Sequence, residues 1–325
     1  MATKRRKRSA TWVHCSLTLL LLVPFRHVSC KNVSVSYPFF NNITMGDPVR
    51  IAITMPITSR GDEDGPIEKM RFFNSFLPSF LETAIPTSFP CTFEFWIGYD
   101  KGDKILDNER GRHTFESVFR KKVESVSKAQ QCGQAGCFKI TMMDFPYSNT
   151  LTALWNGLNN AAFRDGCHYF FMPNDDLLMR TSGWPSAFLA LLASSTLKPN
   201  LGVTGPNDPV SGRADIPSMP CVHRTHLHIF NGQTLPSTFQ NWYNDVWLGN
   251  VYRAFDACLM AKDIAARNHD GCQDPERCSR YVLGEGAFAP WQEETHRGRL
   301  QVLMWLSEQG VAVSRDTVLN KQVVI

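Results

Sequence analysis

Residues 149–176 read NTLTALWNGLNNAAFRDGCHYFFMPNDD, and two periodicities meet inside them. Leu151, Leu154, Trp155, Leu158 and Ala162 recur at helical spacing. Ser148 is placed to cap that helix and Gly166 to stop it. Residues 168–173, HYFFMP, are almost wholly apolar, as a strand covered on both faces requires. The apolar run then breaks at Asn174-Asp175-Asp176. A helix feeding a doubly buried strand predicts a strand–helix–strand unit.

The same alternation extends in both directions. RIAITMPI (50–57), TFEFWIGYD (92–100), FKITMMD (138–144) and LGVTGPND (201–208) read as strands. Residues 67–84 carry Phe73, Phe76, Leu77, Phe80 and Leu81 on a helical face, with a kink expected at Pro78. A helix is expected over 113–128 around Phe115, Val118 and Phe119. THLHIF (225–230) reads as a strand with His226 and His228 on one face. Residues 262–271 read as a strand ending at His269, and 292–309 as a helix stopped by Gly310, followed by a strand at 311–314. The fold class is therefore α/β with a mostly parallel central sheet. Ligands in such sheets bind at the carboxyl ends of the strands. Those ends hold Thr58, Ser59 and Arg60, then Asp100 and Asp103, then Asp144, then Asn174, Asp175 and Asp176, then Asn207 and Asp208.

The chain has 325 residues, 43% hydrophobic, enough for a sizeable core. Its formal charge of +4 misleads, because residues 1–30 hold six bases and no acid. Without them the remainder stands at −2, and no basic stripe favours nucleic acid as a partner. Lys4–Arg8, the apolar run 11–25 and Val28/Cys30 form a signal peptide or short signal anchor over 1–30. The chain is accordingly expected in the secretory pathway, in the Golgi or ER lumen or secreted, and on a membrane where the segment is kept. Asn32 and Asn42 head N-glycosylation triplets in a stem over 31–48, ahead of a domain over 49–325. Eight cysteines follow residue 30, an even number that suggests disulfides, with Cys132/Cys137 and Cys272/Cys278 as local pairs. A loose G-x-G-x-x-A at 284–289 runs straight into Pro290 and is set aside.

Carboxylates after a buried strand are costly unless paired or metal-bound. An oxygen-rich set suits a hard divalent ion shared with phosphate. The tripeptide alone favours a solvated turn or helix cap over a metal site. The block 149–176, with PITSRG (56–61) and QNWYNDVWLGNVY (240–252), resembles GT-A nucleotide-sugar glycosyltransferases. That resemblance implies a GT-A type Rossmann-like sandwich and a nucleotide-sugar donor. It places Thr58, Ser59 and Arg60 beside the nucleotide and Asp100 or Asp103 near the base or ribose. Asn174, where many members carry Asp, faces the ribose, and Asp175 lies beside it. Asp176 becomes the main ligand of Mn²⁺ or Mg²⁺, with His269 a late metal ligand. Asp245 falls on the acceptor side as base or orienting group, facing a glycan or glycoprotein hydroxyl. Trp242, Tyr243 and Trp247 are candidates to stack on a sugar. Two other readings stay open: a non-catalytic carbohydrate-binding protein, and a zinc hydrolase on His223, His226 and His228 with Asp208 or Asp245.

Overall fold

The computed structural model describes residues 48–63, 65–84, 89–129, 138–146, 150–208, 215–268 and 291–323. The segment 1–30, Asn32, Asn42, Ser148, His269, Cys132, Cys137, Cys272, Cys278 and the 284–289 motif lie outside them. No helix among the described residues is long and apolar enough to cross a membrane.

The strands are β1 (Val49–Pro56), β2 (Cys91–Asp100), β3 (Phe138–Phe145), β4 (Tyr169–Phe171), β5 (Leu177–Met179), β6 (Val203–Thr204), β7 (Pro206–Asn207), β8 (Cys221–His223) and β9 (Ala261–Asn268). Helices are α1 (Leu77–Ala84), α2 (Glu109–Ala129), α3 (Leu151–Arg164), α4 (Trp184–Ala193), α5 (Arg224–Ile229), α6 (Asn244–Arg253), α7 (Trp291–Glu308) and α8 (Arg315–Leu319). The main sheet runs β3-β2-β1-β4-β8-β6. Its first four strands are mutually parallel, and β8 is antiparallel to both neighbours. A smaller sheet runs β5-β9-β7. The expected α/β class with a mostly parallel central sheet is what the chain adopts.

Alternation of side chains along each strand divides the core between two faces. Ile51, Ile53, Phe93, Phe95, Tyr169 and Phe171 point to one face, against Phe72, Phe76, Phe80, Phe115, Phe119, Trp184 and Phe188. Ala52, Trp96 and Phe170 point to the other, against Leu158 and Ala162 of α3, Leu227 of α5, Trp247 and Val251 of α6 and Val302 and Leu306 of α7. Helices thus cover both sides, as a parallel sheet needs.

Several local expectations are corrected. Residues 67–84 do not form one helix kinked at Pro78. A 3₁₀ turn at Ile67–Lys69 and a π turn at Phe72–Phe76 precede α1. Pro78 lacks an N–H and crowds the carbonyl four residues back, and the widened turn before it makes that room. LGVTGPND is split: β6 joins the main sheet, β7 the small one. Gly205 sits at the break because a Cβ there would meet the Met219 carbonyl oxygen at 2.7 Å. THLHIF is helical, α5, because His223 caps it, its ring accepting from the Thr225 N–H at 3.2 Å. Residues 311–314 form no strand; they lead into α8, capped by Ser314. Thr150 holds the cap position of α3 without a side-chain bond.

At the amino edge a part-buried ion pair ties β1 to β2. Arg50 donates to both oxygens of Glu94, at 2.6 and 2.8 Å, and also to Asp165. Burial pushes the Glu94 carboxyl up, but Arg50 and Lys139 outweigh it and hold it below its ordinary 4.5. A depressed carboxylate stabilises above its unfolded pKa, and that stability is lost as pH falls through the folded one. Glu94→Gln is expected to cost about 1–3 kcal/mol at pH 7. Urea unfolding should show the deficit shrinking as pH drops below 4.5.

Candidate active site at the carboxyl edge

Parallel β1, β2, β3 and β4 bring their carboxyl ends to one edge, so 57–60, 100–103, 145–146 and 172–176 gather there. Antiparallel β8 begins on the same edge, where the Met172 N–H donates to the Pro220 carbonyl at 2.9 Å. The amino end of α6 joins them through α3. Thr152 Oγ1 donates to the Gln240 carbonyl at 2.7 Å and lies 3.1 Å from the Asn244 side-chain amide. The Leu151 N–H donates to Asn241 Oδ1 at 2.7 Å. Asp245 therefore stands in the first turn of a helix pinned to this edge.

Asp103 is held by protein partners at this edge. Its carboxylate accepts from Ser59 N–H and Ser59 Oγ, both at 2.7 Å, and from Thr58 Oγ1 at 3.1 Å. It also accepts from the N–H groups of Ile105 and Leu106 at 3.1 and 2.8 Å. Five donors fill the lone pairs of one carboxylate, so Asp103 clamps the loop after β1 to the loop after β2. Ser59 is buried by that clamp, whereas Arg60 and Asp100 are partly exposed at the edge. Asp144 is exposed and paired with Lys101 at 3.2 Å.

The turn Asn174–Asp176 links β4 of the main sheet to β5 of the small one, closed by the Leu177 N–H donating to the Asn174 carbonyl at 3.2 Å. Asp175 is buried. Asp176 lies 3.9 Å from Arg71 Nη1, its side chain 15% exposed. Asn174 Nδ2 donates to Asn268 Oδ1 at the end of β9, at 3.5 Å. The Asn268 N–H donates to Asp208 at the end of β7, at 3.3 Å. The donors that cluster here are oxygens, which fit a hard divalent ion, and Arg71 shows that Asp176 already holds a cation. Among the described residues no three His, Cys, Asp or Glu are grouped closely enough to hold a metal. A cation at Asp176 would take its remaining ligands from phosphate and water.

The three histidines of the zinc reading face different partners. His226 Nε2 donates to the Thr234 carbonyl at 2.8 Å and Nδ1 accepts from the Tyr252 hydroxyl at 2.6 Å. His228 packs on the Phe163 ring, and His223 caps α5. Burial pushes His226 down to about 4 and His223 to about 3, so both rings are neutral structural groups. Cys167, Cys221 and Cys258 are free thiols, against the expectation of general pairing. Of the aromatic candidates, Trp247 is buried with Nε1 donating to the Glu294 carbonyl, and Tyr243 stacks on Trp291 at 5.9 Å. Trp242 alone of the three is strongly exposed, at 53%.

Sequence reading missed Arg71, Asn268, Asn241 and Asn244. The two asparagines at 241 and 244 lie within the quoted 240–252 block and were legible as polar breaks in an aromatic run. Nothing marks Arg71 or Asn268.

No family model and no curated protein matches the chain. S. aureus TarS 1-349 in complex with UDP is a similar solved structure, with 12% identity, 83% of this chain and 69% of that chain covered, and TM-score 0.43. A cytidylyltransferase from Leptospira borgpetersenii has 10% identity, covers 85% and 98%, and scores 0.36. A UTP-bound UGPase from Acinetobacter baumannii has 10% identity, covers 49% and 56%, and scores 0.28. At such scores the functional reading rests on the chain's own site.

Two outcomes follow from this geometry. Asp103→Ala should cost about 1–3 kcal/mol in urea unfolding, because it leaves the buried Ser59 groups without an acceptor. His226 binds protons in the unfolded chain near 6.5 but in the folded chain only near 4, so stability falls as pH drops between those values. His226→Gln should flatten that part of the stability profile, while purified wild-type protein carries no stoichiometric zinc bound through His226.

Proposed function

We propose that the chain is a metal-dependent glycosyltransferase that moves a sugar from a nucleoside-diphosphate donor to a hydroxyl acceptor. The observation that carries this reading is the Asn174–Asp176 turn. It lies at the carboxyl edge, directly after a doubly buried strand, between the two sheets. Carboxylates in that position need a cation, and a donor diphosphate needs the same cation. Asp176, with Asn174 and Asp175 beside it, would hold Mn²⁺ or Mg²⁺. When bound, such an ion offsets the negative charge of the departing diphosphate.

The chain's own residues would divide the remaining work. Thr58 and Ser59 are fixed by Asp103 and would present the loop after β1 to the nucleotide, with Arg60 partly exposed beside them. Asp100, at the end of β2, would meet the base or ribose. Asn174 has an amide to offer the ribose. Asp245, half-buried at the start of α6, would take or orient the acceptor hydroxyl proton. Trp242 offers an exposed aromatic face for an acceptor sugar. A UDP-sugar donor and a glycan or glycoprotein acceptor complete the proposal, in the secretory compartment that the first 30 residues indicate. The membrane would be met through that segment where it is retained.

Calorimetric titration of the purified protein with UDP tests this directly. UDP binding should tighten at least about tenfold with Mn²⁺, lose that gain with a chelator, and weaken at least about tenfold in Asp176→Asn. Silence of the wild type toward UDP, GDP and CDP with Mn²⁺ present would overturn the transferase reading.

A further inference from the structure

The turn that carries Asp176 is not a free acidic loop. Arg71 Nη1 lies 3.9 Å from Asp176 Oδ2, with the two side chains 23% and 15% exposed. Their supports are tied together. Arg71 opens the helical segment that becomes α1, and Ser79 of α1 is bonded to β5, the strand immediately after Asp176. The Met179 N–H donates to Ser79 Oγ at 3.1 Å, and Ser79 Oγ also reaches the Leu177 carbonyl at 3.4 Å. Phe72, Phe73 and Phe76, next along from Arg71, are wholly buried, so the backbone beneath the guanidinium is anchored. A cation is thus held over the acidic turn by packed elements rather than by a mobile chain.

The consequence is electrostatic competition. A divalent ion and a guanidinium cannot both sit against one carboxylate without repelling each other, and a half-buried setting screens that repulsion weakly. A diphosphate resolves the conflict, since it offers the planar guanidinium fork a pair of anionic oxygens and the metal further oxygens. Resting on the function proposed above, we propose that Arg71 is a donor-binding residue that passes from Asp176 to the diphosphate. Nucleotide and metal then bind cooperatively: each makes room for the other at Asp176. Linkage requires the effect to be reciprocal.

Four binding constants test it in the purified full chain: Mn²⁺ alone, UDP alone, and each in the presence of the other, for wild type, Arg71→Gln and Arg71→Lys. Mn²⁺ can be followed by its own electron paramagnetic resonance signal, independent of turnover. In the wild type, UDP should tighten Mn²⁺ at least about tenfold. In Arg71→Gln, Mn²⁺ alone should bind several-fold more tightly, UDP with Mn²⁺ about tenfold more weakly, and the coupling should fall toward unity. Arg71→Lys keeps the charge but loses the fork, so it should recover the weak Mn²⁺ affinity and only part of the UDP affinity. Circular dichroism on both variants verifies the fold, and the lysine variant carries the test if the glutamine one unfolds. Wild-type binding of UDP with Mn²⁺, unchanged in both variants, would overturn the role of Arg71 and leave the transferase reading standing. Silence of the wild type toward every nucleotide would overturn both.

Discussion

A strand buried on both faces has to end somewhere, and the way β4 ends organises this protein. Tyr169, Phe170 and Phe171 are essentially inaccessible, so helices must cover the sheet from two sides. The chain then leaves that apolar layer through an asparagine and two aspartates and enters a second sheet. Charge cannot be left in the layer it exits, because desolvating a carboxylate costs several kcal/mol. The acidic turn is thereby driven to the carboxyl edge, where solvent, a cation or Arg71 can serve it.

The other parts of the edge are built by hydrogen bonds that carry no apolar signature. Asp103 spends its carboxylate on five donors from two loops, which converts two crossovers into one rigid rim. Gln240, Asn241 and Asn244 dock the start of α6 on the start of α3, which carries Asp245 to the same rim. Asn268 links β9 to the acidic turn and to Asp208. A rim of this kind is preorganised by polar networks.

Charge is segregated between the two edges of the sheet. The amino edge holds the Arg50–Glu94 pair with Asp165 and Lys139 at its margins, a structural cluster fully occupied with itself. The carboxyl edge holds Arg71 and Asp176 at a longer separation, 3.9 Å, in a half-open setting. The first arrangement suits stability. The second suits exchange of partners, because a looser pair costs less to separate.

How much of this was legible depended on whether the signal was periodic. The helix at 151–164 and the strands at 49–56, 91–100 and 138–145 follow from apolar spacing, since burial imposes periods of 3.6 and 2 on any chain. The acidic turn was legible too, because an apolar strand ending in charge is unusual. The small elements were not. THLHIF alternates as a strand should, yet it coils into α5 once His223 caps it and His168 takes the Arg224 N–H. Its two histidines scatter to Tyr252 and Phe163, which no spacing within six residues could disclose. Asp103 and Asp100 look alike in sequence, three residues apart. Only the fold, by bringing Ser59 within 2.7 Å of Asp103, makes the first a clamp and leaves the second at the rim. The sequence by itself determined the α/β class and the position of the acidic turn, because both are local consequences of hydrophobic period. The tertiary structure alone decided which polar groups meet, Arg71 with Asp176 above all, because those distances are set by contacts between residues about a hundred positions apart.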